Sequence, residues 1–332
     1  MLSKKSKRIL LGMAAAASAI MLAACSGPAS SSSTGGNAPA NGSATSGGPM
    51  NIAVVTHGSA GDSFWNVVKN GATDAGKQLG VNVTYNSDGD PGAQSKLIDN
   101  AVAQHVDGLV VSMANPDALK TSVQNAVKAG IPVITINSGQ SQSAAFGALA
   151  HVGQDEGIAG QQAGAKLKAA GKTNLLCVIH EAGNVGLAQR CDGAKQGFGK
   201  TTNLQVDINN PTDVEAKIKG ALQTDSSIDA VLTLNPQIAL SAVNAAKETN
   251  SKATVATFDL NSDVVSAIKA GQISFAVDQQ QYEQGYLPIV MLKLYHDNAN
   301  TVGGGQPVLT GPGFVDKSNV DKVASYAARG TR

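Results

Sequence analysis

The chain lacks most of the features that announce an activity on sight. Three cysteines in 332 residues are too few for a scaffold built on disulfides. Charged residues make up only 15%, and the formal balance of +1 leaves no basic footprint for nucleic acid. His57, His105, His151, His180 and His296 are scattered, and none stands at zinc-ligand spacing from another His or Cys. Neither a G-x-S-x-G elbow nor a G-x-G-x-x-G turn occurs. Gly171-Lys172-Thr173 resembles the tail of a phosphate loop, but Lys166 stands where that loop requires glycine. No pair of carboxylates is set apart for acid–base work. These absences argue against an enzyme and imply neither cofactor nor metal. Aromatics reach only 4%, with a single Trp, so each aromatic needs a reason. What the chain does have is 42% hydrophobic residues, enough for a core, and a length suited to two domains.

The first fifty residues read as an address and a tether. Lys4, Lys5, Lys7 and Arg8 precede the uncharged apolar run Ile9 to Met21, a secretory signal in shape. The run ends in Leu22-Ala23-Ala24-Cys25, which resembles the bacterial lipobox. That resemblance implies removal of residues 1–24 and a lipid on Cys25. An ordinary signal peptide with an incidental Cys is the alternative. Removal leaves 21 cations against 24 anions, a mildly acidic chain. Residues 26–49 contain only Ser, Gly, Ala, Pro, Thr and Asn, and should form a solvated tether spanning about 27 Å.

From Met50 onward, strand-length apolar runs alternate with helical patterns. Strands are expected at 51–56, 81–85, 108–112, 132–137, 174–179, 204–208, 230–234, 253–258 and 273–278. Between the first two, Phe64, Val67, Val68, Ala72, Ala75 and Leu79 fall at helical spacing. Short apolar strands separated by helices indicate an α/β protein with parallel sheets covered on both faces. Val106-Asp107-Gly108-Leu109-Val110-Val111 followed by Asn115-Pro116 is echoed by Ile228-Asp229-Ala230-Val231-Leu232 followed by Asn235-Pro236. Two similarly wound lobes follow from that echo. Ligands of such sheets bind beyond the carboxyl ends of strands, where Asn137, Asn235 and Asp259 fall. Cys177, on a strand, and Cys191, near the next helix start, are expected to form a disulfide, with two buried thiols as the alternative.

Several short stretches, in order, resemble the type I periplasmic binding proteins of the ribose/galactose-binding family. They are Asp62-Ser63-Phe64-Trp65, Asp107-Gly108-Leu109-Val110-Val111, Gly130-Ile131-Pro132-Val133-Ile134, Gly153-Gln154-Asp155, Arg190-Cys191-Asp192-Gly193, Phe258-Asp259 and Asp278-Gln279-Gln280. The resemblance implies two Rossmann-like lobes joined by a three-crossover hinge that closes over a ligand. The first lobe is expected at 50–152 plus about 280–305, the second at 153–279 plus about 306–332. Carried over position by position, Asp62, Phe64, Trp65, Asn137, Arg190, Asn235, Asp259 and Gln279 should meet the ligand, with Asn184 a weaker candidate. The chain departs from the family pattern at Asn137-Ser138, where an Asp-Arg pair is common, and at Asp192, where some members carry a second Arg. Both departures weigh against ribose and favour another monosaccharide or a sugar alcohol.

Each of these residues also has a plainer reading. Phe64 lies on the apolar stripe of its own helix, whereas Trp65 lies off it and has no evident core role. Asp62, Asn235, Asp259 and Asn261 all suit helix caps, and Arg190 suits an ion pair. The expected protein is a monomeric, exported receptor, lipid-anchored to the outer face of the cell membrane or periplasmic. It would serve an ABC permease with a separate ATPase and bind a small neutral sugar or polyol, without nucleic acid. The alternatives are a sensory receptor, a binder of a nucleoside or signalling furanose, and an exported hydrolase.

Overall fold

The computed structural model describes residues 48–59 and 61–332, so the expected signal segment 1–24, Cys25 and nearly all of the expected tether 25–49 lie outside the described residues. The first half runs β1 (Asn51–Thr56), α1 (Ser63–Leu79), β2 (Asn82–Ser87), α2 (Pro91–Ala103), β3 (Gly108–Ser112), α3 (Pro116–Lys128), β4 (Val133–Ile136), α4 (Gln140–Ser143) and β5 (Ala150–Gln154). The second half repeats the pattern with α5 (Glu156–Ala169), β6 (Leu175–Ile179), α6 (Val185–Phe198), β7 (Thr201–Gln205), α7 (Pro211–Thr224), β8 (Ala230–Thr233), α8 (Pro236–Glu248), β9 (Thr254–Phe258), α9 (Ser262–Lys269) and β10 (Ile273–Asp278). It ends with α10 (Gln281–Asn298), β11 (Val308–Gly311), β12 (Gly313–Asp316) and α11 (Asp321–Ala328).

Two sheets result, ordered β2-β1-β3-β4-β5-β11 and β7-β6-β8-β9-β10-β12. All pairs are parallel except β10 with β12. The internal echo is therefore a repeat of whole-lobe topology, with β3-α3-β4 matching β8-α8-β9. Apolar runs such as Leu109-Val110-Val111 are continuous because each strand is buried on both faces: Val110 packs into one apolar cluster, Leu109 and Val111 into the other.

The lobes exchange helices. α5 follows β5 of the first sheet yet packs on α6, and α10 follows β10 of the second sheet yet packs on α1. Glycine permits both docks. A Cβ on Gly164 would collide with the Ala194 carbonyl, and one on Gly285 with the Val68 carbonyl. The third crossing joins β11 to β12 through Pro312. Because β11 pairs with β5 in the first sheet, this crossing falls at Pro312 and not near residue 305, where the sequence reading set it. Cys177 and Cys191 are joined, with Cα atoms 5.9 Å apart. Among the described residues, no helix is long and apolar enough to cross a membrane.

Candidate functional site in the interlobe cleft

The strand tips of the two sheets point at one another, and helix starts supply the remaining groups. Asp62 caps α1 by accepting from Phe64 N at 2.9 Å, Asn184 caps α6 by accepting from Gly186 N at 3.0 Å, and Asn235 caps α8 by accepting from Gln237 N at 2.8 Å. Capping fixes each side chain at the mouth of its helix, where its remaining polar atoms face the other lobe. Asn137 and Asp259 follow β4 and β9 at equivalent places, with φ of 60° and 70°. Short Asx side chains tolerate this left-handed turn, which directs both into the cleft. Asp259 is not a cap; Asn261 takes that duty for α9 by accepting from Val264 N.

Direct bonds cross between the lobes. Asn235 Nδ2 donates to Asp62 Oδ1 at 3.3 Å, Ser138 Oγ to Asn184 Oδ1 at 3.2 Å, and Val185 N to the Ala114 carbonyl at 3.0 Å. At the hinge, Asn137 Nδ2 donates to Gln279 Oε1 at 3.1 Å, and Gln279 Nε2 to Asp259 Oδ1 at 2.7 Å. The lobes are thus closed on each other.

Asp62, Phe64, Trp65, Asn137, Asn184, Arg190, Asn235, Asp259 and Gln279 all line one space between the lobes. His57, His180, Glu181, Leu187 and Leu234 complete its wall. The structure alters three expectations. Trp65 is 5% exposed and packs within the first lobe's apolar cluster, edge-on to Phe64 at 4.9 Å and to His57 at 4.6 Å, so it serves core and cleft together. Arg190 is held by a two-pronged pair with Glu156 at 2.6 and 2.9 Å and lies over the Phe258 ring. His57 and His180, which end strands and could on sequence grounds either touch ligand or be incidental, both border the space. Glu156 and Glu181 were missed outright. A Glu in a helix's first turn reads as a surface charge, and one after a strand reads as loop. Only the helix exchange that lays α5 on α6 brings Glu156 to Arg190.

Burial governs the electrostatics. It pushes Asp259 up to about 8, against the opposing pull of Arg190 4.0 Å away, whose charge is already taken by Glu156. It raises Asp62 to about 6, despite the Phe64 N–H. It lowers His57 to about 3 and His180 to about 4, so both imidazoles are neutral at physiological pH. A neutral His57 with its proton on Nδ1 donates to Ser112 Oγ at 2.7 Å and leaves Nε2 to accept from Asn184. Planar carboxylates and amides of this kind satisfy two neighbouring hydroxyls at once, and the rings of Phe64 and Trp65 suit an apolar sugar face. Among the described residues, no group of three His, Cys, Asp or Glu side chains could hold a metal ion.

Known proteins share this fold. Residues 52–299 match the family model described as "Periplasmic binding protein domain". A carbohydrate transporter from Acidothermus cellulolyticus 11B, solved in complex with myo-inositol, is 44% identical, covers 86% of this chain and 100% of its own, and superposes with a TM-score of 0.84. The ribose import binding protein of Haemophilus influenzae is 25% identical over 68% of this chain and 79% of its own length. A solute-binding protein from Burkholderia graminis C4D1M in complex with D-arabinose, at 20% identity over 82% of this chain and 96% of its own, shares the fold with a TM-score of 0.73. The chain belongs to the periplasmic binding protein family, whose members are the non-enzymatic sugar-binding components of ABC transporters.

Proposed function

We propose that this chain captures a cyclic polyol of the inositol type in the interlobe cleft and delivers it to an ABC permease driven by a separate ATPase. The observation that carries the reading is the meeting of Asp62, Asn137, Asn235, Asp259 and Gln279, from both lobes, around one space walled by Phe64 and Trp65. A hydroxyl on each ring carbon needs acceptors and donors on every side, and this set supplies them. Buried polar groups left unpaired cost about 1–3 kcal/mol each, so a ligand of the wrong configuration is rejected. The myo-inositol held by the 44% identical structure supports a cyclitol, and Asn137-Ser138 in place of a charged pair argues against ribose.

Both walls of the cleft belong to one copy of the chain, so the reading requires only a monomer. Cys25 in its lipobox setting would hold the receptor to the outer face of the cell membrane, the 26–49 segment serving as the tether. The ligand acts by differential affinity: it bridges both lobes and shifts the population to the closed form that a permease would recognise. Trp65 reports the event. Titration calorimetry and Trp65 fluorescence with myo-inositol, D-ribose, D-arabinose and D-allose should show saturable binding strongest for myo-inositol. A protein indifferent to the whole panel overturns the reading.

A further inference from the structure

Charge in the cleft does not balance. Among the described residues, Arg190 is the only arginine or lysine on its wall, and Glu156 neutralises it through two hydrogen bonds. Asp62 and Glu181 remain. Among the described residues, no lysine or arginine pairs with either. Lys217 lines the hollow adjoining Glu181 but is paired with Asp213 at 2.8 Å. His57 Nε2 lies 3.7 Å from Glu181 Oε2, yet burial keeps that ring neutral.

The two carboxylates come from opposite lobes, Asp62 from the start of α1 and Glu181 from the loop after β6. Closing the cleft therefore brings like charges towards each other, and Glu181 is one of the causes that raise Asp62. Neutral hydroxyls on a ligand would leave that repulsion in place. A second observation comes from His180, which is 5% exposed, lines the same space, and has no hydrogen-bond partner for Nδ1. With its proton on Nε2, a neutral His180 leaves Nδ1 as an available acceptor.

We propose that the cleft selects a polyol in which one hydroxyl is replaced by a protonated amine, an aminocyclitol or amino sugar, with the ammonium between Asp62 and Glu181. The ammonium has three N–H donors, and Asp62, Glu181 and His180 offer three acceptors. Its positive charge turns the interlobe repulsion into attraction, so the amine favours closure where a neutral ring only tolerates it. Anionic ligands, such as sugar phosphates and uronates, are refused by the same field. The inference rests on the polyol reading and names the substituent that reading leaves open.

Titration calorimetry at about pH 7.5 with myo-inositol, a set of amino-deoxy-inositols and their N-acetyl derivatives tests it. At least one amine should bind roughly tenfold or more tightly than myo-inositol, and its N-acetyl form should lose that advantage. In Asp62→Asn and in Glu181→Gln the amine-to-inositol ratio should fall to within about threefold, whatever happens to absolute affinity. The ratio should also shrink as pH falls through about 6, where Asp62 takes up its proton. Myo-inositol binding at least as tightly as every amine overturns the inference and spares the polyol reading, as does a preference that survives in both variants. Binding by none of these compounds overturns both.

Discussion

Asp259 and three histidines pull stability in opposite directions with pH. Asp259 keeps its proton to about 8 in the folded protein, whereas an unfolded carboxyl ionises near 3.8. Between those values the folded state binds the extra proton, so stability falls as pH rises. Asp62, at about 6, acts the same way over a narrower window. His57, His151 and His180 are lowered to about 3, 4 and 4 against 6.5 when unfolded. For them the unfolded state binds the extra proton, so stability rises with pH up to about 6.5 and is level above it. Below that point the two sets largely oppose each other, and above it only Asp259 still has a slope. Where the lobes are closed as they are here, thermal melts should therefore peak between about pH 6 and 7 and decline towards pH 8. In Asp259→Asn the decline should be absent; if it persists, another group carries it. This behaviour was not legible in the sequence, which marks Asp259 as a strand-end carboxylate but gives no sign that Glu156 has already claimed Arg190.

At the scale of elements, composition announced the strands that carry an apolar or alternating run of strand length, edge strand β2 among them, and missed those that carry none. The central strands β1, β3, β6, β8 and β9 were legible because both faces are covered and the runs are continuously apolar. Edge strand β7 was expected at 204–208 and lies at Thr201–Gln205. Leu204, Val206 and Ile208 drew the reading forward, but pairing with Leu175–Ile179 sets the register. β5, with His151, Gly153 and Gln154, and the four-residue β11 and β12 carry no apolar run of strand length. The helix docks were also silent, since a glycine in a helix looks only like a weakness. Gly164→Ala tests the difference. Its methyl must push α5 off the Ala194 carbonyl, and overpacking of this kind costs about 1–3 kcal/mol, more than the helix propensity returns. Gly220 in α7 has nothing within 4 Å of an added Cβ, so Gly220→Ala should stabilise by about 0.5–1 kcal/mol. Urea denaturation of the two variants reads both signs, and equal effects would dismiss the close-packing account.

For the whole molecule, the two lobes are one topology used twice, and this places equivalent strand ends face to face without a special device for the site. The recurring Asn-Pro after β3 and β8 made that symmetry visible; the helix exchange that welds the halves together was not. Closure depends on how near the lobes can come, and one close approach is where Gly186, in the first turn of α6, meets Ser138 of the first lobe. A Cβ on Gly186 would lie 2.7 Å from Ser138 Oγ and 3.4 Å from its Cβ. A single methyl could be met by rotation of the Ser138 hydroxyl, at the loss of its bonds to Asn137 and Asn184. A leucine cannot be met so cheaply, and because Gly186 sits at the lobe boundary, the strain is relieved by holding the lobes apart. Gly186→Leu should therefore leave the ligand-free melting temperature within a few degrees of wild type, since each lobe's core is intact. It should weaken polyol binding by the loss of closed population, about tenfold or more. Small-angle scattering should show wild type contracting on addition of ligand and the variant remaining extended. A variant that contracts and binds as wild type would mean that the ligand is held without the lobes meeting at Ser138.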